Sequence, residues 1–123
     1  MRRAQTYALA LALGAAPLVE ATQPIPLMMT VGCVETDGRD GFTLTRSTEP
    51  AAIQERVPVQ PRTDIPLGDQ TLRLVGTLDE FRIVAHVGHK VWAKGLLNAG
   101  KPLPLLNLTS ITHLAPSCDG PVR

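Results

Sequence analysis

Residues 71–95 read TLRLVGTLDEFRIVAHVGHKVWAKG, and the fold turns on how this stretch divides. Thr71-Leu72-Arg73-Leu74-Val75-Gly76 alternates polar and apolar at period two, the spacing of a strand with Leu72 and Leu74 facing inward. Thr77-Leu78-Asp79-Glu80 then has the Thr-x-x-Glu form of a capping box, in which a hydroxyl and a carboxylate satisfy free amides at a helix start. The spacing predicts a short helix from Leu78 to about His86, with Leu78, Phe81 and Val84 or Ala85 on one face, ended by Gly88 in the left-handed conformation. From Lys90 to Gly95 the alternation returns, with Val91 and Ala93 on one side and Lys90, Trp92 and Lys94 on the other.

Toward the N-terminus, Leu27, Met29, Val31 and Cys33 alternate with Met28, Thr30, Gly32 and Val34, which predicts a first strand with Cys33 inward. Asp37-Gly38-Arg39-Asp40-Gly41 supplies turn chemistry, and Phe42-Thr43-Leu44-Thr45 resumes the alternation with Phe42 and Leu44 inward, so the two strands form a hairpin. Asp37 and Asp40 lack the acidic spacing and closing Glu of a calcium loop. From Ser47 to Gln70 the pattern dissolves into an extended excursion holding Pro50, Pro58, Pro61 and Pro66. It reads as a solvated insertion, or as one containing a short edge strand around Ile53 to Val59. Toward the C-terminus, Asn98-Ala99-Gly100-Lys101-Pro102 is a loop, and a last strand runs from Leu105 to Leu114. Five strands with one short helix between the third and fourth is the order of an OB-fold, the partly open Greek-key barrel.

Several of these segments carry a resemblance. Val31-Gly32-Cys33-Val34, Phe42-Thr43-Leu44-Thr45, Leu72-Arg73-Leu74-Val75-Gly76, Ala85-His86-Val87-Gly88-His89-Lys90-Val91, Leu106-Asn107-Leu108-Thr109-Ser110-Ile111 and Ser117-Cys118 resemble small exported bacterial OB-fold-like proteins of unknown function. The resemblance spans most of residues 27 to 118. It implies fold and export, and it brings no catalytic residue with it.

Export is also legible without the resemblance. Met1-Arg2-Arg3 is a positive start, Ala4 to Leu18 is uncharged and rich in Ala and Leu, and Val19-Glu20-Ala21 puts small residues where cleavage would follow Ala21. Residues 1–21 are therefore expected to be a signal peptide and 22–123 a single small domain with the Pro-rich insertion at about 47–70, periplasmic or secreted, with no membrane span after cleavage. Past residue 21, ten Lys and Arg face ten Asp and Glu, so the domain lacks the cationic footprint of a nucleic-acid or anionic-membrane binder. In an oxidising compartment the two cysteines, Cys33 and Cys118, are expected to bridge the ends of the domain. The alternative is lipidation of Cys33, because Thr30-Val31-Gly32-Cys33 loosely resembles a lipoprotein cleavage box.

Phosphate loops, nucleophile elbows and dinucleotide fingerprints do not occur, and the adjacent carboxylates Asp79 and Glu80 diverge on a helix, so no enzyme and no cofactor is expected. Two binding readings stand. Trp92 falls beside Lys90 and Lys94, away from the aliphatic side of its strand, where an exposed indole between lysines would serve as a platform for an envelope or extracellular ligand. The opposing possibility is that Trp92 packs under the Pro-rich stretch or the C-terminal tail. The second binding reading is a metal site of His86, His89 and His113, which requires the three rings to converge although His86-Val87-Gly88-His89 is not a metalloprotease motif. A purely structural envelope-stress protein without a small-molecule ligand is the remaining alternative.

Overall fold

The computed structural model describes residues 24–119, so the signal-peptide reading of 1–21 lies outside the described residues. The chain is mainly β, with six strands in one sheet: β1 (Leu27–Thr36), β2 (Phe42–Ser47), β3 (Ala51–Ala52), β4 (Gln70–Val75), β5 (Lys90–Asn98) and β6 (Leu105–Ala115). The five longer strands are those expected from the sequence. They pair in a closed circuit, β1 with β2, β2 with β4, β4 with β6, β6 with β5 and β5 with β1, and only the β4–β6 ladder is parallel.

Every strand of the circuit sends apolar side chains to one shared interior. Val34, Leu44, Leu72, Leu74, Val91, Ala93, Leu106 and Leu108 are buried there, and Phe42, Leu97 and Ile111 pack on them from the margins. The inward assignment of Phe42, Leu44, Leu72, Leu74, Val91 and Ala93 is thus met. That of β1 is reversed: Val34 faces this interior, whereas Met29 and Val31 join Trp92 and Leu114 in a second cluster on the opposite side of the sheet. Gly32, in register with Val91, shows why the even-numbered side must be the inner one, since a Cβ there would stand 2.7 Å from Leu44 Cγ and 2.8 Å from Ser47 Oγ. Both sides of β1 are therefore covered, which an alternating pattern alone does not distinguish from one-sided burial.

The predicted α-helix is replaced by two 3-10 turns, Leu78–Phe81 and Ile83–His86. Neither the Thr77 nor the Glu80 side chain caps it; instead the Glu80 amide donates to the Thr77 carbonyl at 3.0 Å. Arg82, at φ 54°, breaks the segment and resets its phase. Ile83 is then the residue driven into the interior, while Val84, expected on the inward face, is 70% exposed. Gly88 does adopt a positive φ, 85°.

The β1–β2 turn is organised by Asp37, whose carboxylate accepts from the amides of Arg39 (2.9 Å) and Gly41 (3.0 Å) and from the Arg73 guanidinium (3.0 Å). These bonds, the Arg39 amide first, hold its carboxyl below the ordinary range. The edge strand falls at Ala51–Ala52, short of the Ile53–Val59 expected. Between β2 and β3, Thr48 replaces a strand residue. Its amide donates to the Val31 carbonyl (2.9 Å), and its hydroxyl accepts from the Val31 amide (3.0 Å). The bridge Cys33–Cys118 is formed, with Cα atoms 6.0 Å apart, and it joins β1 to the segment after β6. Among the described residues, no helix is long and apolar enough to cross a membrane.

Candidate functional site

The alternation along β5 places Lys90, Trp92 and Lys94 on the side away from the interior, as predicted, but that side is not open. Trp92 and Lys90 are each 5% exposed. The cover is the Pro-rich stretch, which lays Ile65 and Leu67 against Val31, Trp92 and Leu114. The expectation of an exposed indole platform is corrected accordingly. A large aromatic surface gains most by burial wherever the chain offers cover, and the insertion between β3 and β4 offers it.

Lys90 fastens this cover. Its ammonium donates to the Thr63 carbonyl at 3.0 Å and to the Ile65 carbonyl in a short contact, and the Asp64 carboxylate feels its charge. A buried ammonium is tolerable only with such acceptors around it. Arg62 and Asp64 pair at 2.8 Å on the exposed rim, where an ion pair contributes little. Replacing Lys90 by Met keeps the stem and removes the donor to both carbonyls. We expect the Lys90→Met variant to lose about 1–3 kcal/mol in denaturant titration and to exchange the amides of residues 62–68 faster, with the amides of β4 and β6 unaffected. Unchanged exchange in 62–68 would show that Lys90 does not hold the strap.

The cover is not seamless. Beside Trp92 a cleft of about 190 Å³ remains, walled by Met29, Val31, Val59, Ile65, Pro61 and Thr48 among others. Val59 stands at its rim, 87% exposed. Lys94 places its ammonium 4.0 Å from the centre of the indole ring, which fixes the ring from one side by a cation–π contact. Sequence reasoning places Met29 and Val59 only within strands, and none of Val59, Ile65 and Met29 among the binding candidates. Their signal was present in the local alternations Val57-Pro58-Val59 and Ile65-Pro66-Leu67, which mark extended backbone with one apolar side.

The outer side of β2 and β4, opposite Leu44, Leu72 and Leu74, carries Thr43, Thr45, Thr71 and Arg73 and no aromatic residue, and Arg73 is already held by Asp37. It offers no stacking surface for bases or sugars.

The three histidines, by contrast, are brought together. His89 and His113 meet edge to face with ring centres 5.0 Å apart, and His86 and His113 lie 6.3 Å apart. The Nδ1 atoms of His86 and His89 are buried without a hydrogen-bond partner. Burial, and then the charge His113 and His89 would carry, holds the His86 imidazole below its ordinary value.

Set against known proteins, the chain matches no family model, no curated protein and no solved structure.

Proposed function

We propose that the protein is a non-catalytic exported module, periplasmic or secreted, built on an OB-fold-like Greek-key barrel, which takes one apolar group of a larger partner into the cleft beside Trp92. The observation that carries this reading is the cleft itself. Its volume of about 190 Å³ falls below the roughly 300–1,000 Å³ of pockets that enclose whole small molecules. It suits a single aliphatic side chain or ring presented by a peptide or other macromolecule.

The closed circuit of five strands supports the barrel, with the two-residue β3 as an appendage. The signal-like start of the sequence and the Cys33–Cys118 bridge support export, since such bridges persist in oxidising compartments. The balanced charge and the aromatic-free outer side of β2 and β4 argue against nucleic acid as the partner.

Trp92 is the sole tryptophan of the chain, so its emission reports on the cleft directly. Titration with small apolar probes, isobutanol, cyclohexanol and N-acetyl-leucinamide, is expected to shift that emission saturably. Val59→Asp, a change at an exposed rim position, is expected to abolish the shift without altering the melting temperature. Emission indifferent to all three probes, or a shift equal in the variant, would remove the ground for this reading.

A further inference from the structure

We infer that residues 77–87 form a lid over the apolar interior that acid releases, with the rings of His86, His89 and His113 as its proton-sensitive latch. This goes beyond the Trp92 cleft and does not depend on it. The backbone first sets the lid apart. Gly76 at φ 109° and Gly88 at φ 85° stand at its two ends, both in the left-handed region that glycine enters freely, and so serve as hinges. Between them the backbone hydrogen bonds are local: the amides of Leu78, Glu80, Arg82, Ala85 and Val87 donate to the carbonyls of Gly76, Thr77, Asp79, Arg82 and Val84. Among the described residues, no ion pair ties this segment to another element. Along its first turn a cleft of about 430 Å³ opens between Thr77–Glu80 on one side and Asp40 and Phe42 on the other. What keeps the lid shut is the buried Ile83, with Leu78, Phe81 and Val87 packed on the same interior. A segment with so few ties opens at less cost than the domain unfolds.

The histidines sit where the lid is fastened. The Gly88 amide donates to the Val34 carbonyl at 2.8 Å, and the Val34 amide donates to the His89 carbonyl at 3.2 Å, which stitches this end to β1. His113, exposed on β6, has its ring centre 5.0 Å from that of His89 and 6.3 Å from that of His86. Nδ1 of His86 and Nδ1 of His89 are buried without a hydrogen-bond partner. A neutral ring with its proton on Nε2 tolerates this at the loss of one acceptor bond. An imidazolium does not, because it places a donor and a charge where nothing receives them. Among the described residues no three His, Cys, Asp or Glu side chains are placed to hold a metal ion, so what the cluster exchanges with solvent is protons.

Nothing around the rings compensates that charge. Burial, and then the charges of His113, His89 and Arg82, all positive when ionised, hold His86 below its ordinary value of 6.5. Of the elements packed on this turn, β1 presents Val34 and the segment after β6 presents the bridged Cys118, neither of them charged. Lys90 of β5 directs its ammonium to the Thr63 and Ile65 carbonyls. Once the lid opens, His86 regains its ordinary value, so the open form binds more protons than the closed one. The closed form is therefore favoured in full above pH 6.5 and loses ground as the pH falls through that value toward the folded one. Over that interval each unit of pH raises the opening equilibrium about tenfold for one histidine.

Amide exchange of the full chain from about pH 7.5 to about pH 5, with each rate corrected for its intrinsic pH dependence, tests the lid. Protection of the Arg82, Ala85, Val87 and Gly88 amides is expected to fall roughly tenfold, while that of the β4 amides holds. His86→Gln keeps a polar side chain but cannot take the proton, and the fall should shrink to about threefold or less. In the unmodified chain the His86 ring protons, followed by NMR, should titrate with a midpoint below 6.5, a measurement that needs no variant to fold. Constant protection across this range, an equal fall in β4, an undiminished response in folded His86→Gln, or a His86 midpoint above 6.5 would each overturn the lid.

Discussion

Reducing the Cys33–Cys118 bridge, or replacing both residues by Ala, is expected to lower the stability of the domain by about 4.5 kcal/mol. The bridge closes a loop of sequence separation 85. In the chain-entropy account the stabilisation grows with the logarithm of that length and reaches about 4.5 kcal/mol at this size. The magnitude matters because whole small domains are stable by only about 5–15 kcal/mol. The native contacts of the sulfurs act in the same direction. Cys33 is 1% and Cys118 9% exposed, and the Arg46 guanidinium donates to Cys33 Sγ at 3.5 Å, so the double Ala variant also leaves a small cavity and a released cation. Urea titration with and without reductant, followed by circular dichroism, measures the effect. A change below about 1 kcal/mol would mean that the denatured chain is already compact enough for the bridge to add little.

Trp92→Ala should cost about 3–5 kcal/mol, the range for truncating a buried aromatic. The indole holds the second cluster together, with Val31 and Leu114 beside it on the neighbouring strands and Ile65 and Leu67 packed against it, so its loss removes the surface on which the strap rests. Two consequences are expected together: a lower denaturation midpoint, and faster amide exchange from residue 61 to residue 68, the segment that Lys90 also holds. Trp92→Phe, which keeps an apolar ring, should lose less than half as much. Val84→Ala, at a position 70% exposed, should be near neutral and serves as the reference. Circular dichroism must follow these transitions, because the variants lose the chain's only indole. A Trp92→Ala variant as stable as Val84→Ala would mean that the second cluster contributes nothing and that the strap is held by Lys90 alone.

Four of the five longer strands were legible because each alternates at period two over at least four residues, as Thr71-Leu72-Arg73-Leu74 and Lys90-Val91-Trp92-Ala93 do. What alternation cannot convey is how many sides of a strand are covered. On β1, the larger side chains of Met29 and Val31 drew the inward assignment, yet the interior takes Val34 and the bare backbone of Gly32. The size of a side chain does not say which side has room. The helix reading failed for a related reason. Thr77 and Glu80 stand at the spacing of a capping box, but the segment must turn the chain from β4 to β5 over the mouth of the interior, and a left-handed Arg82 accomplishes this where a continuous α-helix would carry Ile83 away from it. The candidate residues themselves, Trp92, Lys90, Lys94 and the three histidines, were identifiable by type. Their surroundings were not, because the cover over Trp92 and the meeting of His113 with His89 arise from residues far apart in sequence.

The position of the sulfur bridge also settles how the molecule bears mechanical load. Tension applied at the two ends of the domain enters along β1, crosses from Cys33 to Cys118 and leaves, so everything between them stays slack however hard the ends are pulled. Only the part of β1 before Cys33 lies on the load path, and it is gripped on one edge by β5 and on the other by Thr48 and β3. A domain tethered through its ends would thus yield a few residues of extension and then stop, with the histidine cluster on the side of the bridge that force does not reach and the Trp92 cleft, walled in part by Met29 and Val31 of β1, straddling the load path.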